Sequence, residues 1–203
     1  MKIICIGRNY QGHIEEMRQN KPGEPLFFMK PETALIRGGL PFFLPDHSNE
    51  IHYETELVLR ISRHGKHIQK RFAHRYYDAV AVGIDFTARD IQRESIKKGD
   101  PWEKSKAFDG SAAVSSFIPV SDIENPDDIG FHLLKNGDKV QSGHSSEMIF
   151  NFDDVISHVS KYVTLKLGDL IYTGTPEGVG PVVQDDILDL YLEGRKMLTV
   201  RIK

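Results

Sequence analysis

The chain has 203 residues, of which 39% are apolar and 27% charged, and its net charge is −3. This even balance argues against an extended nucleic-acid-binding surface, which needs concentrated lysine and arginine, and no apolar run approaches the roughly 20 residues of a membrane-spanning helix. Cys5 is the single cysteine, so an intramolecular disulfide is excluded and a cytoplasmic protein is predicted.

Strand signals dominate the chain, and short Pro- and Gly-rich turns separate them. The first segment, MKIICIGRNY, lacks the extended apolar region of a signal peptide, so a strand is predicted there. The predicted strands are 2–6, 26–29, 53–61, 79–85, 112–118, 131–135, 139–142, 169–173, 187–193 and 196–202. Asn136-Gly137 predicts a type I′ hairpin between two of them, and Gly194-Arg195 predicts a second hairpin near the C-terminus.

Three helices are predicted between the strands. The first covers roughly 10–19 and is short and polar. The second is predicted to begin after Thr87 as its N-cap and to end at Gly99. The third, near 151–163, carries apolar residues at helical spacing, which predicts that it covers the core. Few helices among many strands predict a β-rich α+β fold.

The segment IHYETELVLRI, residues 51–61, alternates apolar and polar residues. Side chains two apart on a strand share a face, so His52, Glu54 and Glu56 are predicted to lie side by side. Two neighbouring carboxylates repel each other, but a hard divalent cation would turn that repulsion into attraction. An exposed acidic face is the alternative interpretation of this segment.

The segment DAVAVGIDFTARD adds a third carboxylate. Its near-continuous apolar strand is predicted to be buried and ends at Asp85, and a buried carboxylate needs a partner. Asp85 could help to cap the following helix, but Thr87 suits that role better. Together with Glu54 and Glu56, Asp85 predicts an all-carboxylate site suited to Mg²⁺ or Mn²⁺, with His52 in a supporting role.

Two pairs of polar residues have helical spacing. His13 and Glu16 are three apart, and a carboxylate that orients an imidazole makes a general base able to take a proton from water. Arg89 and Gln92 have the same spacing close to Asp85 and could hold a substrate carboxylate. The alternatives are a surface contact for the first pair and a solvated helix face for the second.

Two further stretches could contribute to a site. Lys104 and Lys106 stand just before a strand, where a lysine could stabilise developing negative charge, although most lysines are solvated. The glycine-rich IYTGTPEGVGPV at 171–182 lacks a Walker A motif, but its backbone N–H groups could line a carboxylate pocket. A plain tight turn is the alternative.

Six short sequence motifs follow one another along the chain. They are GRNYxxH at 7–13, Phe-Met-Lys-Pro at 28–31, HxExEL at 52–57, DxTARDxQ at 85–92, KAF at 106–108 and TGTPxGVGP at 173–181. In this set and order the chain resembles the fumarylacetoacetate hydrolase family, in its short, acylpyruvase-like form. The resemblance covers nearly the full length, so residues 1–203 are predicted to be a single catalytic domain.

The resemblance implies a mixed β-sandwich roll, a homodimer, and Mg²⁺ or Mn²⁺ held by Glu54, Glu56 and Asp85. His13 and Glu16 match the pair that activates water in acylpyruvase-like members. The other matched positions are Arg89 and Gln92, which orient substrate, Lys106 near the reacting carbonyl, and Thr175 at a substrate carboxylate. Larger relatives carry an acidic ligand where Ile6 and Gly7 stand here, so three protein ligands are expected.

The expected activity is therefore hydrolytic cleavage of the C–C bond of acylpyruvates, with oxaloacetate decarboxylation as a second activity. The alternative within the family is an isomerase or decarboxylase of 2-hydroxyhepta-2,4-diene-1,7-dioate-type intermediates. Outside it, the chain could be a catalytically silent metal-binding domain, although no substitution at the matched positions suggests this.

Overall fold

The computed structural model describes residues 1–36 and 39–203, and it is rich in β-strands. The strands are β1 (Ile3–Gly7), β2 (Leu26–Lys30), β3 (Leu35–Ile36), β4 (Ile51–Tyr53), β5 (Thr55–Ile61), β6 (Tyr77–Asp85), β7 (Thr87–Ala88), β8 (Ala112–Val114), β9 (Ile118–Pro119), β10 (Gly130–Lys135), β11 (Asp138–His144), β12 (Leu170–Tyr172), β13 (Gly180–Pro181), β14 (Ile187–Leu192) and β15 (Arg195–Arg201). The α-helices are α1 (Gln11–Glu16), α2 (Arg89–Lys98), α3 (Glu103–Lys106) and α4 (Phe152–Tyr162). Short 3₁₀ helices cover Glu32–Ala34, Lys70–Arg75, Val120–Asp122 and Ser145–Glu147. The prediction of a β-rich α+β fold with few short helices is confirmed.

The strands form three sheets in the described part of the chain. The largest has the order β2-β1-β12-β5-β6-β8-β3, with β9 also paired to β6. Its β1–β12 and β3–β8 pairs are parallel, which makes the sheet mixed. A second, antiparallel sheet has the order β11-β10-β14-β15, and a small third sheet has the order β13-β4-β7.

The central strands of the large sheet are buried on both faces. Along β6, Val80, Val82 and Ile84 belong to the larger apolar cluster, whereas Ala81 between them belongs to a smaller one with Cys5. The larger cluster also includes residues of the second sheet and of α4, so this side of the sheet is covered by both. Burial on both faces explains why β6 reads as a continuous apolar run rather than an alternating one.

Helix α4 and the first hairpin confirm their predictions. Asn151 caps α4 by accepting the Asp154 N–H at 3.0 Å. Asn136 and Gly137 have φ angles of 53° and 94°, as a type I′ turn requires. The second hairpin exists, but its left-handed residues are Glu193 and Gly194, one position earlier than predicted, because Arg195 already pairs with β14.

The first two helices differ from prediction at their N-terminal or C-terminal ends. Helix α1 is shorter than predicted, because Arg18, at φ 52°, takes the left-handed conformation soon after its end. Gly99 ends α2 at φ 74°, as predicted. The prediction that Thr87 is its N-cap is wrong: Thr87 pairs with His52 in the third sheet, so the N-cap is Ala88 and α2 begins at Arg89.

The predicted strand 53–61 is divided at Glu54. Its first part, β4, pairs with β13 and β7, whereas its second part, β5, lies in the large sheet between β12 and β6. Glu54 thus stands where the chain passes from one sheet to another. In the described ranges no helix is long and apolar enough to cross a membrane.

Candidate active site

Three buried carboxylates meet at the junction of the two sheets. Because β5 and β6 are antiparallel, with Glu56 opposite Gly83, the start of β5 lies beside the end of β6, and the Asp85 N–H donates to the Glu54 carbonyl at 2.8 Å. One carboxylate oxygen from each of Glu54, Glu56 and Asp85 lies within 4.8 Å of the other two. These residues are at most 5% exposed, so the interpretation of this segment as an exposed acidic face is wrong.

Buried cations face the three carboxylates. Lys106 Nζ donates to Glu54 Oε2 at 2.6 Å and to Asp85 Oδ2 at 2.9 Å, and Arg89 Nη2 donates to Glu54 Oε1 at 2.5 Å. Burial acts to raise the pKa of Glu54, but the charges of Lys106 and Arg89 outweigh it and hold that pKa well below its usual range. Glu54 is therefore an ionised carboxylate at neutral pH.

Glu56 lies in a less compensated environment. It accepts the Gly174 N–H at 2.7 Å. Burial, followed by the negative charges of Asp85 and Glu54, raises its pKa well above the usual value. This part of the site therefore carries more negative charge than its protein partners offset.

Asp85 also keeps acceptor capacity. Lys30 Nζ lies 2.7 Å from Asp85 Oδ1, but the angles fall outside those of a hydrogen bond, and no described residue donates one to this oxygen. Three converging carboxylates with free acceptor capacity are the donor set of a hard divalent cation, so Glu54, Glu56 and Asp85 are compatible with Mg²⁺ or Mn²⁺.

Lys30 is a member of the site that sequence reasoning did not single out. Besides its ion pair with Asp85, its ammonium donates to the carbonyls of Ser111 and Lys106, and to the Ser111 hydroxyl. It is 2% exposed, at the end of β2. The available signal was a lysine directly following an apolar strand, within the Phe-Met-Lys-Pro motif.

Helix α3, which was not predicted, separates the two candidate lysines. Lys106 is buried at the carboxylates, whereas Lys104 is exposed on the other side of the helix. Residues two apart on a helix point in different directions, so only one of the pair could enter the site.

Helix α1 brings a histidine to the same pocket. His13 is 7% exposed, and its Nδ1 lies 3.3 Å from Glu16 Oε2. Glu16 Oε1 accepts the Gly178 N–H at 3.1 Å, which joins α1 to the glycine-rich loop. Burial acts to raise the pKa of Glu16, but the hydrogen bonds from His13 and Gly178 outweigh it and lower that pKa. An ionised Glu16 favours the tautomer with hydrogen on Nδ1, which leaves Nε2 of His13 to accept a proton.

Helix α2 supplies a buried arginine–glutamine pair. Arg89 and Gln92 are at most 6% exposed, and Arg89 Nη1 donates to Gln92 Oε1 at 2.5 Å. The solvated-face interpretation is therefore wrong for these two residues, whereas Arg93 on the same helix is exposed and pairs with Glu50. His52 contacts Glu50 at 3.0 Å and lies outside the carboxylate group.

Gln141 on β11 orients Thr175, and sequence reasoning missed it. Gln141 Oε1 accepts the Thr55 N–H at 2.9 Å, so the other amide atom must be nitrogen. That nitrogen donates to Thr175 Oγ1 at 2.9 Å and to the Pro176 carbonyl at 3.0 Å. Since Thr175 Oγ1 accepts this bond, its own hydrogen is left to donate elsewhere. The only sequence signal for Gln141 was its place in the alternation of polar and apolar residues on a hairpin strand, and this signal is weak.

One pocket is lined by eight of the nine predicted site residues. The ninth, Glu16, contacts the pocket residue His13. The eight that line it are His13, Glu54, Glu56, Asp85, Arg89, Gln92, Lys106 and Thr175. Apolar walls come from Ile6, Phe28 and Trp102, and Arg8 also lines the pocket. The arrangement can hold a cation, bind a small anion and move a proton.

Known proteins similar to this chain match it along nearly all of its length. Residues 2–202 match the family model described as fumarylacetoacetate (FAA) hydrolase C-terminal. The chain is 40% identical over 201 residues to the mitochondrial oxaloacetate tautomerase of Mus musculus, covering 99% of this chain and 91% of the relative. It is 38% identical over 199 residues to an oxaloacetate tautomerase of Escherichia coli, covering 98% and 91%. Among solved structures, it is similar to fumarylpyruvate hydrolase from Pseudomonas aeruginosa in complex with Mn²⁺ and pyruvate, with a TM-score of 0.93 and 34% identity over 100% of this chain and 89% of that chain.

Proposed function

The chain belongs to the fumarylacetoacetate hydrolase family, and from that premise we propose that it interconverts the keto and enol forms of oxaloacetate. The relatives from mouse and Escherichia coli are named oxaloacetate tautomerases. The observation that carries the proposal is His13, a buried base held by Glu16 in the same pocket as the three carboxylates.

Glu54, Glu56 and Asp85 would hold Mg²⁺ or Mn²⁺, and the bound ion would draw electron density from the substrate carbonyl and make the neighbouring C–H more acidic. His13 Nε2 then accepts a proton from C3 of oxaloacetate, while Glu16 stabilises the imidazolium that forms. Lys106 lies where its charge can stabilise the developing enolate oxygen. Return of the proton to oxygen gives the enol, and the reverse sequence restores the ketone.

Hydrolysis of acylpyruvates, the activity expected from the sequence, is the second candidate. The similar Pseudomonas aeruginosa protein is a fumarylpyruvate hydrolase, and the same His13 could take its proton from water instead of carbon. Oxaloacetate decarboxylation and the isomerisation of heptadienedioates stay predictions, as do the homodimer, the single-domain organisation and the cytoplasmic location.

The test of the proposal is proton exchange at C3 of oxaloacetate, followed by NMR in deuterated buffer together with the ultraviolet absorbance of the enol. We expect the wild type with Mg²⁺ to accelerate exchange, and His13→Gln to lower kcat by about 100-fold or more, since a positioned general base contributes at least that. The control is His132→Gln, because His132 stacks on Tyr191 in the second sheet and does not line the pocket. A wild type that accelerates acetylpyruvate cleavage but not exchange would favour hydrolysis instead.

The cation is tested independently of turnover by titrating Mn²⁺ and following the electron paramagnetic resonance signal of the free ion. Glu56→Gln can keep the hydrogen bond from Gly174 but loses the charge, so we expect Mn²⁺ affinity to fall by about tenfold or more. The matched control is Glu94→Gln, an exposed carboxylate of α2. Unchanged Mn²⁺ affinity in Glu56→Gln would rule out this site.

A further inference from the structure

Arg8 is a pocket residue whose charge the protein leaves without a partner. It follows β1 directly and lines the pocket beside His13. Its Nε is buried and has no hydrogen-bond partner among the described residues, and its guanidinium contacts no carboxylate or ring in the described part of the chain. Arg8 as a whole is half-buried, and a buried N–H donor without a partner is unfavourable unless a ligand supplies an acceptor.

The other described arginines do not share this situation. One set pairs with carboxylates or lies over an aromatic ring: Arg60, Arg63, Arg71, Arg75, Arg89 and Arg93. The remaining set is exposed to solvent: Arg18, Arg195 and Arg201. Among the arginines that the structure describes, Arg8 is thus the one that is not exposed and yet has neither an ion pair nor a ring contact.

The backbone holds Arg8 in this place. Its φ of 59° is in the left-handed region, which residues other than glycine rarely adopt. The next residue, Asn9, fixes the turn by donating to the carbonyls of Phe150 and Thr173 at 3.0 and 2.8 Å and accepting the Phe150 N–H at 2.8 Å. A strained residue that its surroundings enforce, in an active-site pocket, points to a functional role.

The charges of the pocket indicate what Arg8 binds. Two of the three carboxylates, Glu54 and Asp85, already pair with three buried cations, namely Lys30, Lys106 and Arg89. Arg8 contacts none of the carboxylates, so its charge is available to an anion that the ligand brings. A guanidinium is suited to a carboxylate, which it can bind through two parallel hydrogen bonds.

We propose that Arg8 binds the distal carboxylate of a dicarboxylic 2-oxo acid, the end remote from the reacting carbonyl. Arg8 then makes the enzyme select dicarboxylates over monocarboxylates of the same length. This inference rests on the proposed function for the orientation of the substrate, because that function takes the 2-oxo acid end to lie at the cation.

The kinetic test compares oxaloacetate with its 4-ethyl ester, which is neutral at the distal end. We expect Arg8→Gln to raise KM for oxaloacetate by about 10- to 100-fold, the usual loss for hydrogen bonds between charged groups, and to change KM for the ester by less than about twofold. Arg8→Lys keeps the charge but lacks the two parallel N–H donors of the guanidinium, so it should give an intermediate KM for oxaloacetate. Equal losses for the two substrates would overturn the proposal.

The matched control is Arg18→Gln. Arg18 is also an arginine in the left-handed conformation, at φ 52°, but it is exposed and does not line the pocket. We expect its KM values for both compounds to equal those of the wild type. Thermal unfolding of each variant establishes that the comparison is made on folded protein.

A binding test separates this inference from the proposed function. Malate and 2-hydroxybutyrate are unreactive analogues that differ in the distal carboxylate, and their affinities for the Mn²⁺-loaded protein are measured by calorimetry. We expect the wild type to prefer malate by about tenfold or more and Arg8→Gln to lose that preference. Equal affinities in the wild type, including no binding of either compound, would overturn the inference. An Arg8-dependent preference for malate in a protein that does not exchange the C3 proton would instead refute the proposed function alone.

Discussion

At the scale of single residues, the direction of one hydroxyl group follows from a main-chain hydrogen bond. The Thr55 N–H fixes which atom of the Gln141 amide is oxygen, and the amide nitrogen then donates to Thr175. Thr175 therefore keeps its hydrogen to donate toward a substrate oxygen. Gln141 is a positioning residue in this arrangement, because it does not itself line the pocket.

Gln141→Glu reverses this polarity with little change of shape. A carboxylate oxygen would accept the Thr175 hydroxyl and turn its hydrogen away from the pocket, so we expect KM for oxaloacetate to rise by about tenfold, as in Thr175→Val. The double variant should show little further loss, because both changes remove one interaction. Additive effects on KM in the double variant would mean that Gln141 acts on the fold alone.

The residues that sequence reasoning identified are those whose pattern is local. Glu54 and Glu56 follow from strand alternation, and Asp85 follows from its place at the end of a buried strand. Lys30, Arg8 and Gln141 have local signals too weak to assign them a role. Their roles depend on partners distant in sequence or on the absence of any partner, and only the folded chain shows either.

At the scale of elements, the same distinction holds. Long strands such as β6, β10 and β14 are predicted almost to their ends, since several residues contribute to each pattern. Two-residue strands such as β7 and β13 have no periodicity to detect, and their pairing is decided by the sheets around them. This is why Thr87 was mistaken for a helix cap.

Gly83 in the middle of β6 is a packing requirement. A Cβ at this position would lie 2.5 Å from the Ala113 carbonyl oxygen and 2.9 Å from both Tyr172 and Val58. Glycine normally weakens a strand, but here it permits β8 and the Tyr172 ring to approach closely. Because Gly83 pairs with Glu56, the same packing determines the position of a candidate ligand.

We therefore expect Gly83→Ala to lower the free energy of unfolding by roughly 1–3 kcal/mol, the usual effect of overpacking a core. Urea denaturation measures this change. Gly23→Ala is the control, because a Cβ there would meet no atom within 4 Å. A midpoint for Gly83→Ala equal to that of the control would show that the neighbouring strands adjust freely.

At the scale of the whole molecule, half-buried and buried tyrosines make stability depend on alkaline pH. Burial, followed by the charges of Asp153 and Asp127, raises the pKa of Tyr77 to about 12. Burial also raises the pKa values of Tyr10 and Tyr172 well above the usual value. Above pH 10 the unfolded chain loses these protons while the folded chain keeps them, so stability falls as the pH rises.

For Tyr77 the loss should approach about 1.4 kcal/mol per pH unit between pH 10 and pH 12. Tyr77→Phe keeps the edge contact with the Phe152 ring but has no proton to lose, so we expect a shallower decline of unfolding free energy across this range. Urea denaturation at a series of pH values measures it, with Tyr162→Phe as a control at an exposed position. Parallel declines in Tyr77→Phe and the wild type would assign the pH dependence to other groups.

The hydrogen bond from Gly174 to Glu56 joins residues 118 apart in the sequence, and that from Lys106 to Glu54 joins residues 52 apart. Closing such long loops is slow and entropically unfavourable, so contacts of this kind form late in folding. In a nascent or partly folded chain the three carboxylates are therefore not yet close together. The pocket forms only with the complete fold. Any ion or acid that binds there recognises the finished molecule alone, so occupancy of the site protects the whole chain against unfolding and against the proteases that follow it.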